Sequence, residues 1–176
     1  MRRVRYVVAM SLDGYIAGPN GEADWILMDP EIDFRALFEQ FDAFLLGRKT
    51  FESMGGTGGS RRSGVQTIVF SRTLRQQDYP NVTIVSENPQ QALADLRSKP
   101  GKDIWLFGGG LLFRSLLEAR LVDSVEVSVM PVLLGEGIPL LPPEPSSEHY
   151  KLSLASSRAF ETGIVSLEYT VKYEPA

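Results

Sequence analysis

The sequence predicts an α/β protein built on a mixed, mostly parallel central sheet with an antiparallel C-terminal edge. Three observations predict it. Short apolar runs of buried-strand length alternate with helix-start signals as far as about residue 120. Past that point the pattern changes to apolar–polar alternation, as in strands buried on one face. Several early runs also end in glycine just before a helical pattern begins, as strand–helix units do. At 176 residues, against about 150 per domain, the chain is expected to form one domain over 1–176.

Residues 5–10 (Arg-Tyr-Val-Val-Ala-Met) read as the first buried strand, and 11–21, with four glycine or proline positions, as loop. Asp29-Pro30 reads as a helix start, with Asp29 the N-cap and Pro30 the first helical residue. Phe34, Leu37, Phe38 and Phe41 then give that helix one apolar face. Residues 43–46 are the next buried strand, ended by Gly47, and a short helix over 50–54 precedes the glycine-rich 55–60. Strands follow at 66–70 and 82–85, and Asn88-Pro89 opens a helix through Ala92, Leu93 and Leu96. Residues 104–107 form a further buried strand, followed by Gly108-Gly109-Gly110 and a helix carrying Leu112, Phe113, Leu116 and Leu117 on one side. A long strand over 124–132 alternates Val125, Val127 and Val129, and 152–160 and 164–173 make a hairpin about Thr162-Gly163. Between them Pro139, Pro142, Pro143 and Pro145 mark a rigid surface connection.

Composition removes several function classes. The absence of cysteine excludes a disulfide scaffold, a thiolate metal site and a cysteine nucleophile, and a lone His149 excludes a histidine-rich metal cluster. No metal is expected. No run approaches the 18 or so apolar residues of a membrane span, and the N-terminal basic residues lack a signal peptide's apolar core, so the expected address is the cytoplasm. A net charge of −4 argues against general nucleic-acid binding. The charge is unevenly spread: from Arg48 to Arg75 there are six basic residues (Arg48, Lys49, Arg61, Arg62, Arg72, Arg75) and one acid, Glu52. One basic stretch in an acidic chain points to a local anion site for a phosphate-bearing small molecule, the alternative being a solvated basic loop.

Three motifs place anion-friendly groups just after buried strands. Gly108-Gly109-Gly110 opens a helix, where free amides and the helix dipole favour a phosphate; a tight turn is the other reading, though it needs one glycine rather than three. Phe113 stands where the dinucleotide fingerprint has its third glycine, and no nucleotide-hydrolase loop is present. Gly47-Arg48-Lys49-Thr50 sets two cations and a hydroxyl at a helix start, where cations oppose the dipole unless an anion is bound. Ser71-Arg72-Thr73 repeats the pattern after the strand at 66–70. In open α/β sheets the carboxyl ends of the strands form the ligand crevice.

These stretches carry a resemblance. Residues 7–18 (Val-Val-Ala-Met-Ser-Leu-Asp-Gly-Tyr-Ile-Ala-Gly), Gly47-Arg48-Lys49-Thr50-Phe51-Glu52-Ser53, residues 104–110, and 121–140 with Leu134-Gly135-Glu136-Gly137 match in order and spacing. The chain resembles the dihydrofolate reductase superfamily with its three-layer fold, most closely the reductase domain of the riboflavin-biosynthesis deaminase/reductases. The resemblance implies NADPH as hydride donor and a small heterocyclic substrate, a riboflavin-pathway-like pyrimidine or a pteridine. Carried over residue by residue, the backbone of Ala9 and the side chain of Ile16 would frame the nicotinamide. Gly47, Arg48, Lys49 and Thr50 would hold phosphates, with Ser71 and Arg72 near the 2′-phosphate. Gly108, Gly109, Gly110, Leu111 and Leu112 would supply amides to the pyrophosphate. The basic stretch agrees, since an NAD site more often shows a carboxylate for the ribose hydroxyls.

Hydride reduction of a C=N or C=O bond also needs a proton on the heteroatom. Asp33, one turn before Leu37, is the first candidate for a catalytic carboxylate, its alternative role being an ordinary first-turn acid. Asp13 is the second: the resemblance places the matching aspartate near substrate, while Asp-Gly is also a turn former. Asp29 and Glu31 are the other candidate acids near the start of that helix, Glu136 is a weaker one, and Trp25 reads as core filling, its alternative being to pack over the substrate pocket. The competing reading is an NADP(H)-binding module without turnover; a sugar-phosphate enzyme without redox chemistry is a third. The resemblance also implies a homodimer, with the C-terminal strands and the Val125-Val127-Val129 face as the expected interface.

Overall fold

A computed structural model describes residues 1–56, 64–143 and 149–174. Among them, eight strands form one sheet in the order β5-β4-β3-β6-β1-β7-β10-β9, where β1 is Val4–Ser11, β3 Phe41–Gly47, β4 Gln66–Phe70 and β5 Thr83–Val85. The remaining four are β6 (Asp103–Gly108), β7 (Ser124–Met130), β9 (Lys151–Ala159) and β10 (Val165–Lys172). Every pairing from β5 to β7 is parallel, and β10 runs antiparallel to both β7 and β9. The mixed sheet matches its sequence pattern. Buried on both faces, the central strands are near-continuous Val, Leu, Ile and Phe, whereas β9 is exposed along its whole length.

Helices pack on both faces, giving three layers. On one face α3 (Pro89–Ser98) and α4 (Gly110–Glu118) bury Leu93, Leu96, Phe113, Leu116 and Leu117 against Tyr6, Leu45, Leu106, Val125 and Val127. On the other, Leu37 and Phe38 of α1 (Phe34–Glu39) and Phe51 and Met54, in and just after α2 (Arg48–Ser53), cover Phe44, Leu46, Val69 and Trp105. Right-handed crossovers require this split, because the chain moves one way along the sheet from β1 to β5 and back again through β6 and β7.

Four local expectations are corrected. The N-cap of α1 is Asp33, whose Oδ1 accepts from the Ala36 amide at 2.9 Å; Asp29 lies a turn earlier and accepts from the Glu31 amide and, at 2.5 Å, from the Thr162 hydroxyl. Phe41 belongs to β3 rather than to the helix, because the helix is only six residues long. The expected loop at 11–21 contains a short strand, β2 (Tyr15–Ala17), paired with β8 (Ile138–Pro139) in the proline-rich connection. Val125 and Val127 are buried beneath the helices, so they form core and not an interface.

The amino ends of the strands are tied by charge. Arg5 makes a two-pronged contact with Glu126, Nε–Oε1 and Nη2–Oε2 both at 2.7 Å, while Nη1 reaches Gln40 at 2.6 Å and the guanidinium lies 4.7 Å from the centre of the Phe41 ring. Arg2 pairs with Asp42, and Arg97 with Asp123 at 3.0 Å. These contacts link β1, β3, β7 and α3 at the end of the sheet away from the glycine-rich turns.

Candidate functional site

The sheet opens at its centre. The ladder between β1 and β6 runs only from Val4↔Ile104 to Tyr6↔Leu106, whereas β1 stays paired with β7 as far as Ser11↔Met130. Beyond Tyr6, β6 continues with β3 alone, up to Leu46↔Gly108. The carboxyl-terminal halves of β1 and β6 therefore part, at the position where the connections leave in opposite directions, which is the ligand crevice of open α/β sheets. The Ile104 amide bonds the Arg3 carbonyl at 2.8 Å, so by the alternation of a parallel ladder the backbone groups of Arg5, Val7 and Ala9 share that side. Ala9 thus turns its N–H and C=O into the opening. The Val7 carbonyl, one step deeper, accepts from the Trp105 indole at 2.9 Å.

The two glycine motifs meet beside this opening. A Cβ built on Gly109 would lie 3.7 Å from Leu112 Cβ, 3.8 Å from Thr50 Oγ1 and 3.9 Å from Gly47 Cα. Gly47, Thr50 and the start of α4 therefore form one cluster, as the sequence predicts. Helix α4 begins without a side-chain cap, so no side chain bonds its first amides, the groups that favour an anion at a helix start. The turn itself requires all three glycines, contrary to the sequence expectation, because each has a packing or backbone reason of its own. Gly109 has φ 103°; a Cβ on Gly108 would stand 2.8 Å from Thr50 Cγ2, and one on Gly110 2.9 Å from the Pro142 ring. Leu111 is exposed, and Leu112 packs into the core beneath.

Cations line the same rim. Arg48 is exposed and bonds Glu52 at 3.0 and 3.1 Å; Lys49 is exposed with no polar partner among the described residues. At the end of β4, Ser71 is buried and its hydroxyl accepts from the amides of Thr73 and Leu74, fixing a turn that leaves Arg72 exposed. Arg61, Arg62 and the glycine-rich residues 57–60 lie outside the described residues, as does Pro145.

The carboxylates are placed differently from one another. Asp13 follows β1 and accepts from the Ser11 hydroxyl at 2.6 Å, the Gly135 amide at 2.7 Å and the Leu134 amide at 3.1 Å. These bonds, the Ser11 contact foremost, favour the ionised form and bring its pKa down to about 2. Asp13 therefore clamps the 134–135 turn to the start of the β1–β2 loop, a contact no local sequence signal announces. Ile16 is half-buried in β2, one residue from the pairing with β8. Asp33 is exposed, its Oδ1 engaged by the cap. Asp29 is buried and its pKa lowered, chiefly by Thr162; with Glu31, which pairs with Arg158, it fastens the segment before α1 to the β9–β10 hairpin. Trp25 is half-buried with its indole on the Glu22 carbonyl, and Glu136 and His149 are exposed.

Comparison with known proteins gives this arrangement a family. The chain is 34% identical to the uncharacterized protein YyaP of Bacillus subtilis, over 96% of this chain and 94% of that one. A putative riboflavin biosynthesis protein from Shewanella superposes with a TM-score of 0.80 at 27% identity, covering 98% of this chain and 100% of the other. A dihydrofolate reductase from Enterococcus faecalis, complexed with NADP(H), shares the fold with a TM-score of 0.69 at 19% identity and 97% coverage of each chain. The model of the RibD C-terminal domain matches residues 2–166. The chain belongs to the RibD C-terminal domain family and has the α/β fold of dihydrofolate reductase.

Proposed function

We propose that this protein is an NADPH-dependent reductase acting on a small heterocyclic substrate of the pyrimidine or pteridine kind. One observation carries the reading: Thr50, Gly47 and the uncapped start of α4 converge beside the opening into which Ala9 turns its backbone N–H and C=O. The donors suit such a cofactor, with uncapped amides and two strand-end groups of cations for its anions and a donor–acceptor pair for a primary carboxamide. When bound, NADPH supplies a hydride. In this assignment Thr50 and the amides of Gly108, Gly109, Gly110, Leu111 and Leu112 hold the pyrophosphate, with Gly47 giving close approach. Arg48 and Lys49 balance its charge, and Arg72, presented by the Ser71 turn, takes the 2′-phosphate. Ala9 orients the carboxamide and Ile16 packs against the ring.

Asp33, whose Oδ2 has no hydrogen-bond partner among the described residues, is assigned to order the water that brings the proton. Asp13, held ionised, has no proton to give at neutral pH and acts by holding the 134–135 turn in place. The exposure of both candidate catalytic carboxylates, Asp13 and Asp33, favours one alternative, an NADP(H)-binding module without turnover. Calorimetric titration with NADPH and NADH, followed by absorbance assays of NADPH consumption with pteridines, ribitylaminopyrimidines and quinones, separates the two. Arg72→Ala is expected to weaken NADPH at least about ten-fold and NADH little, whereas Arg48→Ala, at the pyrophosphate that both nucleotides share, is expected to weaken both. Failure to saturate with either nucleotide at millimolar concentration overturns the reading, and tight binding without turnover of any substrate selects the module.

A further inference from the structure

Trp105 occupies a position that its packing alone does not explain. Its ring is the hub of an aromatic cluster, with centroids of Phe38 and Phe41 at 4.9 Å, Phe107 at 5.2 Å and Phe44 at 5.5 Å. Its indole N–H leaves that cluster and crosses from β6 to the Val7 carbonyl of β1, where the two strands begin to part. A carbonyl facing an open crevice is a recognition group, because it accepts from any flat ring that presents an N–H. Here the protein takes that acceptor for itself. What remains in the opening is the backbone pair of Ala9, and the aromatic side chains close the crevice beneath it.

We infer that Trp105 determines ligand specificity, its indole removing the Val7 carbonyl from the crevice and so discriminating against rings that need an N–H acceptor on β1, aminopyrimidines and the amino edge of pterins among them. The inference rests on the crevice being the ligand site, as proposed above. It narrows the proposed pyrimidine or pteridine class to rings held by side chains rather than through an amino group on β1, the Ala9 pair being assigned to the cofactor. Trp105→Phe keeps an aromatic ring in the hub and restores the acceptor.

The test is titration of wild type and Trp105→Phe with 2,4-diaminopyrimidine, with NADPH affinity measured separately on both. The expected result is at least a ten-fold gain in diaminopyrimidine affinity for the variant and an NADPH affinity unchanged within about two-fold. A folded variant that binds diaminopyrimidine no more tightly than wild type overturns the inference. The premise is read on the unmodified protein by the exchange of its indole protons in ¹⁵N-labelled tryptophan. The Trp105 proton is expected to exchange far more slowly than that of Trp25 and to remain protected when NADPH is added; fast exchange overturns the inference even if the variant fails to fold. Absence of NADPH binding to wild type counts against the proposed function alone, since the diaminopyrimidine and exchange results still read the role of Trp105.

Discussion

Gly108→Ala is the sharpest probe of how the two strand-end motifs fit together. The new methyl group would sit 2.8 Å from Thr50 Cγ2 and 3.1 Å from Thr50 Oγ1, closer than carbon–carbon contacts allow. Overpacking of this kind costs about 1–3 kcal/mol. Against it stands the gain from replacing glycine inside a strand, about 0.5–1 kcal/mol, and the φ of Gly108 is one that alanine adopts without strain. The clash outweighs the gain, so the variant is expected to be destabilised by about 1 kcal/mol. Thr50→Ser removes the methyl that is struck and keeps the hydroxyl. In that background Gly108→Ala should be neutral or stabilising, giving a coupling energy of about 1–2 kcal/mol between positions 58 residues apart in the chain. Urea unfolding of the four proteins measures it. Additive effects, or a neutral Gly108→Ala in the wild-type background, would refute the claim that Thr50 rests on the glycine turn.

Three further outcomes follow from particular contacts. Asp33→Ala should cost about 1 kcal/mol by leaving the Ala36 amide uncapped, and a neutral result in chemical denaturation would return the cap to another residue. The Tyr6 hydroxyl is buried without a partner among the described residues, so Tyr6→Phe should leave stability unchanged or raise it by about 1 kcal/mol; a clear loss in melting temperature would reveal a bonded hydroxyl. The folded-state pKa of Asp13, about 2, lies below its ordinary value of 3.8, so its contribution is complete above about pH 4 and disappears as pH falls through 2. Between neutral pH and that window wild type should lose more melting temperature than Asp13→Asn, and equal losses would show that the 134–135 turn is not held by this carboxylate.

The central strands were legible because burial on both faces leaves little room for anything but branched and aromatic residues, as in Ala43-Phe44-Leu45-Leu46 and Ile104-Trp105-Leu106-Phe107. The strand-end motifs were legible for a related reason: a chain leaving a parallel strand for a helix needs glycine and leaves free amides. The helix before β3 starts later than the strong local signal of Asp29-Pro30 suggests: Asp29 accepts from the Glu31 amide and from Thr162, 133 residues away, and Asp33 takes the cap. Long-range polar contacts of this kind, including Asp13 with Gly135 and Trp105 with Val7, have no local pattern. The three glycines misled for the opposite reason. Their spacing is visible in sequence, but Thr50 and Pro142, which require two of them, come close only in the folded chain.

Arg2, Arg5 and Arg97, each locked to a carboxylate at one end of the sheet, face away from the parted strands at the other. The sheet is in this sense a clothes-peg, sprung at the arginine end and free at the jaws. Substitutions at the spring should lower the yield of intact protein while survivors grip their ligands normally, and those at the jaws should do the reverse. A variant library sorted on both traits would divide along the strands.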